Sequence, residues 1–337
     1  MRIAKNLSQF TGEIVVLASG KIFLYNEPEK EMNAMNLKKK ILCLSLYILS
    51  LLLIISGCVR SSRDAADRAF LRVDYIDVGQ ADFILLECEG KYMTIDGGNL
   101  NDSGIVQSYL KNRGIETVDT VIITHPHEDH YGGVKTIFDY AEVKQVYCPS
   151  IDCDTSIFRS LLKAIEAEGL EVKTPVPGEM FTFGGATVQI FGPVKSAYED
   201  INDLSMVVKV TYGESTFLFT GDAEAVAEND ILLAGFDVSA DVLKVGHHGS
   251  ASSTSYVWLK AIAPQYAVIS SDRVEKPEYN HPHEIVVSRL RDADVSVYRT
   301  DLQGTVTCIT DGSGYAFMVE KNPDADTLYD AGEGGNH

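Results

Sequence analysis

Seven consecutive positions, Thr124-His125-Pro126-His127-Glu128-Asp129-His130, hold three histidines and two acidic residues. They follow the apolar stretch Val121-Ile122-Ile123, so a buried strand is predicted to end in a loop crowded with imidazole and carboxylate groups. These are the donors that borderline and hard divalent cations take. Crowded at one strand end without a cation to organise them, such groups would be costly. His125 and His127 alternate by two, so in extended chain both side chains point the same way and can share one cation. Asp129 and His130 follow in a turn and can serve a second. The pattern predicts a metal site rather than ordinary surface histidines.

Four further segments share the design of an apolar strand emptying into polar or glycine-rich residues. They are Asp74-Tyr75-Ile76-Asp77-Val78-Gly79-Gln80-Ala81-Asp82, Tyr92-Met93-Thr94-Ile95-Asp96-Gly97-Gly98, Thr216-Phe217-Leu218-Phe219-Thr220-Gly221-Asp222, and Asp241-Val242-Leu243-Lys244-Val245-Gly246-His247-His248-Gly249-Ser250. Together with the histidine run, the set resembles the metallo-β-lactamase superfamily. It is most similar to the branch formed by the soluble domain of ComEC competence proteins, whose signature is close to DVGQGD, DGG, HxHxDHxGG, TGD, LKVGHHGS and a late GHP. The resemblance runs from about residue 70 to about residue 312. The HxHxDH and LKVGHHGS pieces are specific, whereas DGG or TGD alone would be weak.

The resemblance implies an α/β (α+β) fold, the metallo-β-lactamase αββα sandwich, and two divalent metal ions, zinc or manganese. It places His125 and His127 on the first metal and Asp129 and His130 on the second. Asp222, at a strand end after Gly221, is free to reach both as a bridging carboxylate; the alternative is an aspartate that caps a turn. His247 matches the family's late histidine on the second metal, and His248 beside it could orient substrate or ligands; the alternative is a supporting group behind the ligands. Asp96 matches a carboxylate that braces the ligand loop, since metal histidines need hydrogen-bond partners. Asp82 matches the acidic residue of DVGQGD, although Ala81 replaces the usual glycine. His281, in Tyr279-Asn280-His281-Pro282, resembles the GHP histidine with Asn280 in place of glycine; it could donate a proton to a leaving oxygen or bind a phosphate, the alternative being an ordinary loop histidine. Most superfamily members carry a third histidine for the first metal. The matching stretch here, Ile201-Asn202-Asp203-Leu204-Ser205-Met206-Val207, has none, which the competence branch shares. Asn202 or Ser205 could touch the metal water or the substrate instead.

Targeting signals precede this domain. Lys38-Lys39-Lys40, an apolar run from Ile41 to Ile55 and Ser56-Gly57-Cys58 read as a secretory signal, too short for a comfortable span of ~20 residues. Its ending resembles a bacterial lipobox, which implies cleavage before Cys58, a lipid on its sulfur and an extracytoplasmic domain anchored to the cell membrane. The alternative is an uncleaved anchor. Residues 1–34 fit no signal peptide, and Met35 is the expected start. The expected organisation is therefore a leader over 1–57, a tether over 58–69, the hydrolase domain over 70–321 and a disordered acidic tail over 322–337. The leader carries seven basic and four acidic residues, leaving about −22 on the rest against −19 for the whole chain. Such a surface repels polyanions at long range and argues against an extended duplex-binding face, while a local cation-rich site can still take a phosphodiester. Of six cysteines, Cys43 lies in the signal, Cys88 and Cys308 sit in strand-like stretches, and Cys148 and Cys153 can form a disulfide outside the cell or stay thiols.

Two cations about 3.5–4 Å apart can lower the pKa of a bridging water, polarise the attacked centre and steady the leaving oxygen. That suits hydrolysis of a phosphodiester, where positioning and charge neutralisation supply most of the catalysis. The expected activity is a surface-anchored phosphodiesterase or nuclease acting on DNA or a smaller phosphodiester, with Asp129 also orienting the nucleophile. Competing readings are a lactam, thioester or cell-wall phosphocholine ester hydrolase, and a non-catalytic metal-binding lipoprotein. The sequence marks no protein partner.

Overall fold

Strand Phe83–Cys88 shows how the molecule is layered. Ile84, Leu86 and Cys88 point to one apolar cluster and Phe83 and Leu85 to another, so the strand is buried on both faces and reads as a nearly continuous apolar run. Phe217 and Phe219 against Leu218 repeat the pattern in the second half of the chain. The computed structural model describes residues 13–18, 21–26, 70–150, 152–273 and 277–329. The chain divides into two units, Met1–Arg68 and Ala69–His337. In the first, Glu13–Ala18 and Lys21–Asn26 pair as an antiparallel hairpin. Cys43, Cys58 and the expected signal segment lie outside the described residues.

The second unit is built on two large sheets. The first has eight strands in the spatial order Val172–Lys173, Val146–Tyr147, Thr120–Ile122, Lys91–Asp96, Phe83–Cys88, Leu71–Tyr75, Val306–Thr310 and Tyr315–Val319. The second has seven, in the order Met180–Phe183, Ala186–Ile190, Val208–Tyr212, Ser215–Phe219, Val242–Lys244, Tyr266–Ile269 and Ser296–Arg299. Each sheet passes from antiparallel to parallel pairing: Lys91–Asp96 begins the parallel part of the first, and Ser215–Phe219 that of the second. The last two strands, Val306–Thr310 and Tyr315–Val319, cross back to the first sheet, where Val306–Thr310 pairs with Leu71–Tyr75.

The cluster between the sheets includes Leu71, Tyr75, Ile84, Ile122, Phe217 and Val242. Helices Ser103–Arg113, Val134–Tyr140 and Ser156–Ala167 cover the outer face of the first sheet through Leu110, Ile137 and Leu161. Helices Ala225–Leu233, Tyr256–Ile262 and Glu284–Asp292 cover that of the second through Ile231, Trp258 and Leu290. The layers are αββα, as the resemblance implied. Among the described residues no helix is long and apolar enough to cross a membrane.

The segment 322–329, expected to be disordered, instead packs on the second half. Thr327 Oγ1 donates to the Val297 carbonyl at 2.8 Å, Arg291 Nη1 donates to the Leu328 carbonyl at 2.9 Å, and the Arg291 guanidinium lies over the Tyr329 ring. Leu328 packs against the apolar cluster of the second half, which anchors a segment that composition alone marks as polar. Residues 330–337 lie outside the described residues.

Candidate metal centre

The strand Thr120–Ile122 ends with Thr124 and His125 fully buried, and the chain stays extended to His127 (φ −98°, ψ 148°). It then turns into the short helix Glu128–Tyr131, which carries Asp129 and His130. The extended step puts His125 Nε2 2.9 Å from His127 Nδ1. Behind this loop, the Gly133 amide donates to the Gly98 carbonyl at 3.0 Å, and a Cβ on Gly133 would lie 2.1 Å from the Gly97 carbonyl oxygen. Only glycine allows that approach, and it locks the DGG turn to the histidine loop. Asp96 (φ 60°) sits in this turn and braces the loop three times. Its carboxylate accepts from the Thr124 amide and hydroxyl, both at 2.8 Å, and meets His130 Nδ1 at 2.8 Å.

From the second sheet, Asp222 follows strand Ser215–Phe219, and its amide donates to Ser205 Oγ at 2.9 Å. Ser205 Oγ also lies 3.3 Å from His125 Nδ1, so it ties the two halves together behind the site. Asp222 Oδ2 is the geometric hub. It stands 3.2 Å from His130 Nε2, 3.6 Å from His248 Nε2, 3.7 Å from His247 Nε2 and 4.0 Å from His125 Nε2.

One donor from each of Asp129, His130, Asp222 and His248 falls within 4.8 Å of the others. That quartet takes His248 where the sequence pointed to His247. Both adopt the left-handed backbone region (φ 53° and 49°), which β-carbon-bearing residues rarely enter. The turn sends His248 inward, with Nδ1 3.0 Å from the Ser270 carbonyl, and leaves His247 partly exposed with Nδ1 3.2 Å from Glu224 Oε1. A cavity of about 330 Å³ opens onto the cluster, lined by Gln80, His127, Glu128, Asp129, Asp222, His247, His248, Tyr279 and His281.

Other residues named from sequence fall elsewhere. Asp82 lies behind the wall, paired through Oδ2 with the ammonium of Lys244 at 2.8 Å, and its amide donates to the Asp129 carbonyl at 3.1 Å. Asn202 is buried in the turn Ile201–Leu204, with Oδ1 making no hydrogen bond among the described residues, and does not line the cavity. Its neighbour Asp203 caps the helix Ala225–Leu233, accepting from the Glu224 and Ala227 amides at 3.1 Å each. Cys148 and Cys153 are thiols: Cys148 Sγ donates to the Ser150 carbonyl at 2.9 Å, and burial pushes its pKa up to about 12. Lys244, Glu224 and Gln80 were missed as supporting residues. A lysine inside the apolar run Val242–Val245 was the available signal, since a buried ammonium needs a buried carboxylate.

The donor chemistry fits divalent cations. With Nδ1 of His248 donating to a carbonyl and Nδ1 of His130 donating to Asp96, both Nε2 atoms present lone pairs toward carboxylate oxygens. Those two Nε2 atoms and Asp222 Oδ1 are buried without a hydrogen-bond partner among the described residues. Lone pairs facing carboxylates repel unless a proton or a cation lies between them. The electrostatics carry the same signature. Burial disfavours charge on His130, but Asp222, Asp96 and Asp129 outweigh it and hold the imidazole well above its ordinary pKa. Burial likewise works against the Asp222 carboxylate, yet His130, His248 and His247 hold it well below the usual range. Burial dominates at His125 and holds it well below the ordinary imidazole value.

This geometry agrees with comparisons to known proteins. The metallo-beta-lactamase superfamily model matches residues 76–271. The chain is 27% identical over 252 residues to ComE operon protein 3 of Bacillus subtilis, covering 69% of this chain and 32% of that protein. It is 28% identical over 257 residues to competence protein ComA of Neisseria gonorrhoeae, covering 75% of this chain and 34% of that one. It thus spans about a third of the length of these curated relatives. Among solved structures it is similar to the metallo-beta-lactamase fold protein YhfI from Bacillus subtilis, with 15% identity, a TM-score of 0.47 and coverage of 72% of this chain and 100% of that one. With a family match spanning both sheets, the paired ligand loops and Asp222 between them, this chain belongs to the metallo-beta-lactamase superfamily of metal-dependent hydrolases.

Proposed function

We propose that this chain is a metal-dependent phosphodiesterase, a nuclease of the competence-protein type that acts on DNA or a smaller phosphodiester. The observation that carries the reading is the position of Asp222 Oδ2, within 4.0 Å of an imidazole nitrogen from each of His125, His130, His247 and His248. One carboxylate so placed can serve two cations. His125 and His127 with Asp222 would hold one, and Asp129, His130 and His248 with Asp222 the other. Two divalent cations, zinc or manganese, supply Lewis-acid activation of water and charge neutralisation at phosphorus.

The chain's own groups do the rest. Asp96 holds His130 in the tautomer that leaves Nε2 free, and the Ser270 carbonyl does the same for His248. Asp129, one-third exposed on the cavity wall, can accept a proton from an attacking water or orient it. Glu224 fixes the ring of His247, and His247 and His281 face the cavity from the second half, where a phosphoryl oxygen would lie. The competence proteins among the relatives support a nucleic-acid phosphodiester, and the polar wall suits a charged ester better than an apolar one.

The expected lipid on Cys58 would place this activity at the outer surface of the cell membrane. Growth with a labelled fatty acid should tag the chain, and Cys58→Ala should abolish the label.

Purified full chain supplied with manganese or zinc is expected to hydrolyse bis-p-nitrophenyl phosphate, DNA or both. If it leaves both intact with each metal, the phosphodiesterase reading fails. The double variant Asp129→Ala, His130→Ala should lose activity on any substrate found; wild-type rates in that variant would exclude the two-cation arrangement.

A further inference from the structure

Gln80, in the Asp77-Val78-Gly79-Gln80 turn of the first half, reaches across to the loop that carries His281, 201 positions away in sequence. Both side chains are buried and both line the cavity. Gln80 Nε2 lies 3.0 Å from His281 Nδ1, and Gln80 Oε1 accepts from the Asp272 amide at 3.1 Å. The second contact decides the first. A backbone N–H can only donate, so the Gln80 atom beside it is the carbonyl oxygen, and the atom facing His281 is the NH₂ group. That group also only donates, so His281 Nδ1 must present its lone pair. A neutral imidazole then carries its single proton on Nε2.

The ring is held in place around this contact. Tyr279 stacks over it with centroids 5.8 Å apart at 24°, and His283 and His247 meet it edge-on. The His281 carbonyl accepts from Arg273 Nε at 3.2 Å, and the Pro282 carbonyl from Arg273 Nη2. Nε2, on the far side of the ring from Gln80, has no hydrogen-bond partner among the described residues.

We propose that Gln80 is a positioning residue that locks His281 in its Nε2–H form, so that His281 offers a hydrogen bond to a phosphoryl oxygen in the cavity and keeps its proton. The lock is a statement about the protein alone. The choice of phosphoryl oxygen rests on the phosphodiesterase reading. Between the two roles open to a late histidine, proton delivery to the leaving group and binding of the phosphate, the geometry points to the second. To deliver its Nε2 proton the ring would have to start as imidazolium, with a second proton on Nδ1 where the Gln80 NH₂ already stands as a donor; a neutral ring that gave up its one proton would be left as an imidazolate.

Two measurements test this. In the full chain with ¹⁵N-labelled histidine, two-bond ¹H–¹⁵N correlation spectra distinguish the tautomers, and the His281 signals are identified by their loss in His281→Gln. Wild type should show a pyridine-like Nδ1 and a pyrrole-like Nε2. Gln80→Glu, which replaces the donor with an acceptor, should make Nδ1 pyrrole-like, and Gln80→Leu should average the two forms. A pyrrole-like Nδ1 in wild type, or no response to Gln80→Glu, overturns the lock, whatever the enzyme hydrolyses.

The second measurement compares leaving groups. His281→Ala should lower kcat/KM about tenfold, the scale of one lost hydrogen bond, and by a similar factor for thymidine 5′-p-nitrophenyl phosphate and for a dinucleotide. Gln80→Leu should follow in the same direction. A loss on the dinucleotide, whose alkoxide needs a proton to leave, a hundredfold greater than on the nitrophenyl ester would show proton delivery and overturn the assignment. If neither ester is hydrolysed, the phosphodiesterase reading fails, and with it the phosphoryl-oxygen assignment, while the spectra still decide the lock.

Discussion

The two strand ends that meet at this site are held by different means. In the first half the chain leaves its strand extended through His125 and His127, and Asp96 grips the loop from below through Thr124 and His130. In the second half His247 and His248 both sit in the left-handed region, at a cost of about 1–2 kcal/mol each. They are kept there by packing and by polar partners: the buried pair of Lys244 and Asp82 behind them, Glu224 beside them, and Glu228 under the loop that follows. The first loop is thus close to self-supporting, whereas the second depends on its surroundings. Asp222 belongs to neither arrangement and joins both.

Removing the joint should have the largest effect. Asp222→Ala takes a carboxylate from both cation positions at once, and kcat/KM is expected to fall about ten-thousandfold, roughly 5 kcal/mol. Metal content measured after dialysis should fall at both positions. A variant that kept one tightly bound metal equivalent would show that the halves hold their cations independently and would break the comparison.

The same contrast explains how much of the site could be read from the sequence. The first loop was legible because its donors are contiguous and the strand before it is plainly apolar: a two-residue period alone places His125 and His127 together. The αββα layering was legible for a similar reason, since strands buried on both faces give apolar runs such as Phe83-Ile84-Leu85-Leu86. The inward turn of His248 was not. It turns on left-handed φ values at two adjacent non-glycine residues, which no periodicity encodes. Glu224, Gln80 and Glu228 stayed invisible because their partners are 23, 201 and 27 positions away in sequence. The segment 322–329 misled because its few anchoring residues, Thr327 to Tyr329, sit within a polar, acidic stretch.

The next largest effect should come from the charge behind the second loop. Lys244 and Asp82 are both buried and paired at 2.8 Å. Lys244→Met leaves Asp82 as an unpaired buried charge and is expected to cost about 3–5 kcal/mol of stability. Replacing both, as Asp82→Asn with Lys244→Met, should recover much of the loss. Urea unfolding of the three variants checks this. A single-variant cost below about 1 kcal/mol would mean that the second loop does not rest on buried charge.

Glu228 gives the finest test, because it separates burial from pairing as the means of support. It accepts from the Ser255 amide at 3.1 Å, at the start of helix Tyr256–Ile262, and burial pushes its pKa up from 4.5 to about 7 against the pull of that hydrogen bond and of Arg289. A carboxyl group that binds its proton more tightly folded than unfolded stabilises the fold fully below about pH 4.5. That contribution is lost as pH rises from there through 7, and is gone above it. The size is about 3 kcal/mol. Glu228→Gln keeps an acceptor for Ser255 and cannot ionise. It should therefore unfold at a similar urea concentration to wild type near pH 5 and at a clearly higher one at pH 8. If Glu228→Gln shifted stability equally at both pH values, the second loop would be held by the hydrogen bond alone, and the two halves would differ less than their backbones suggest.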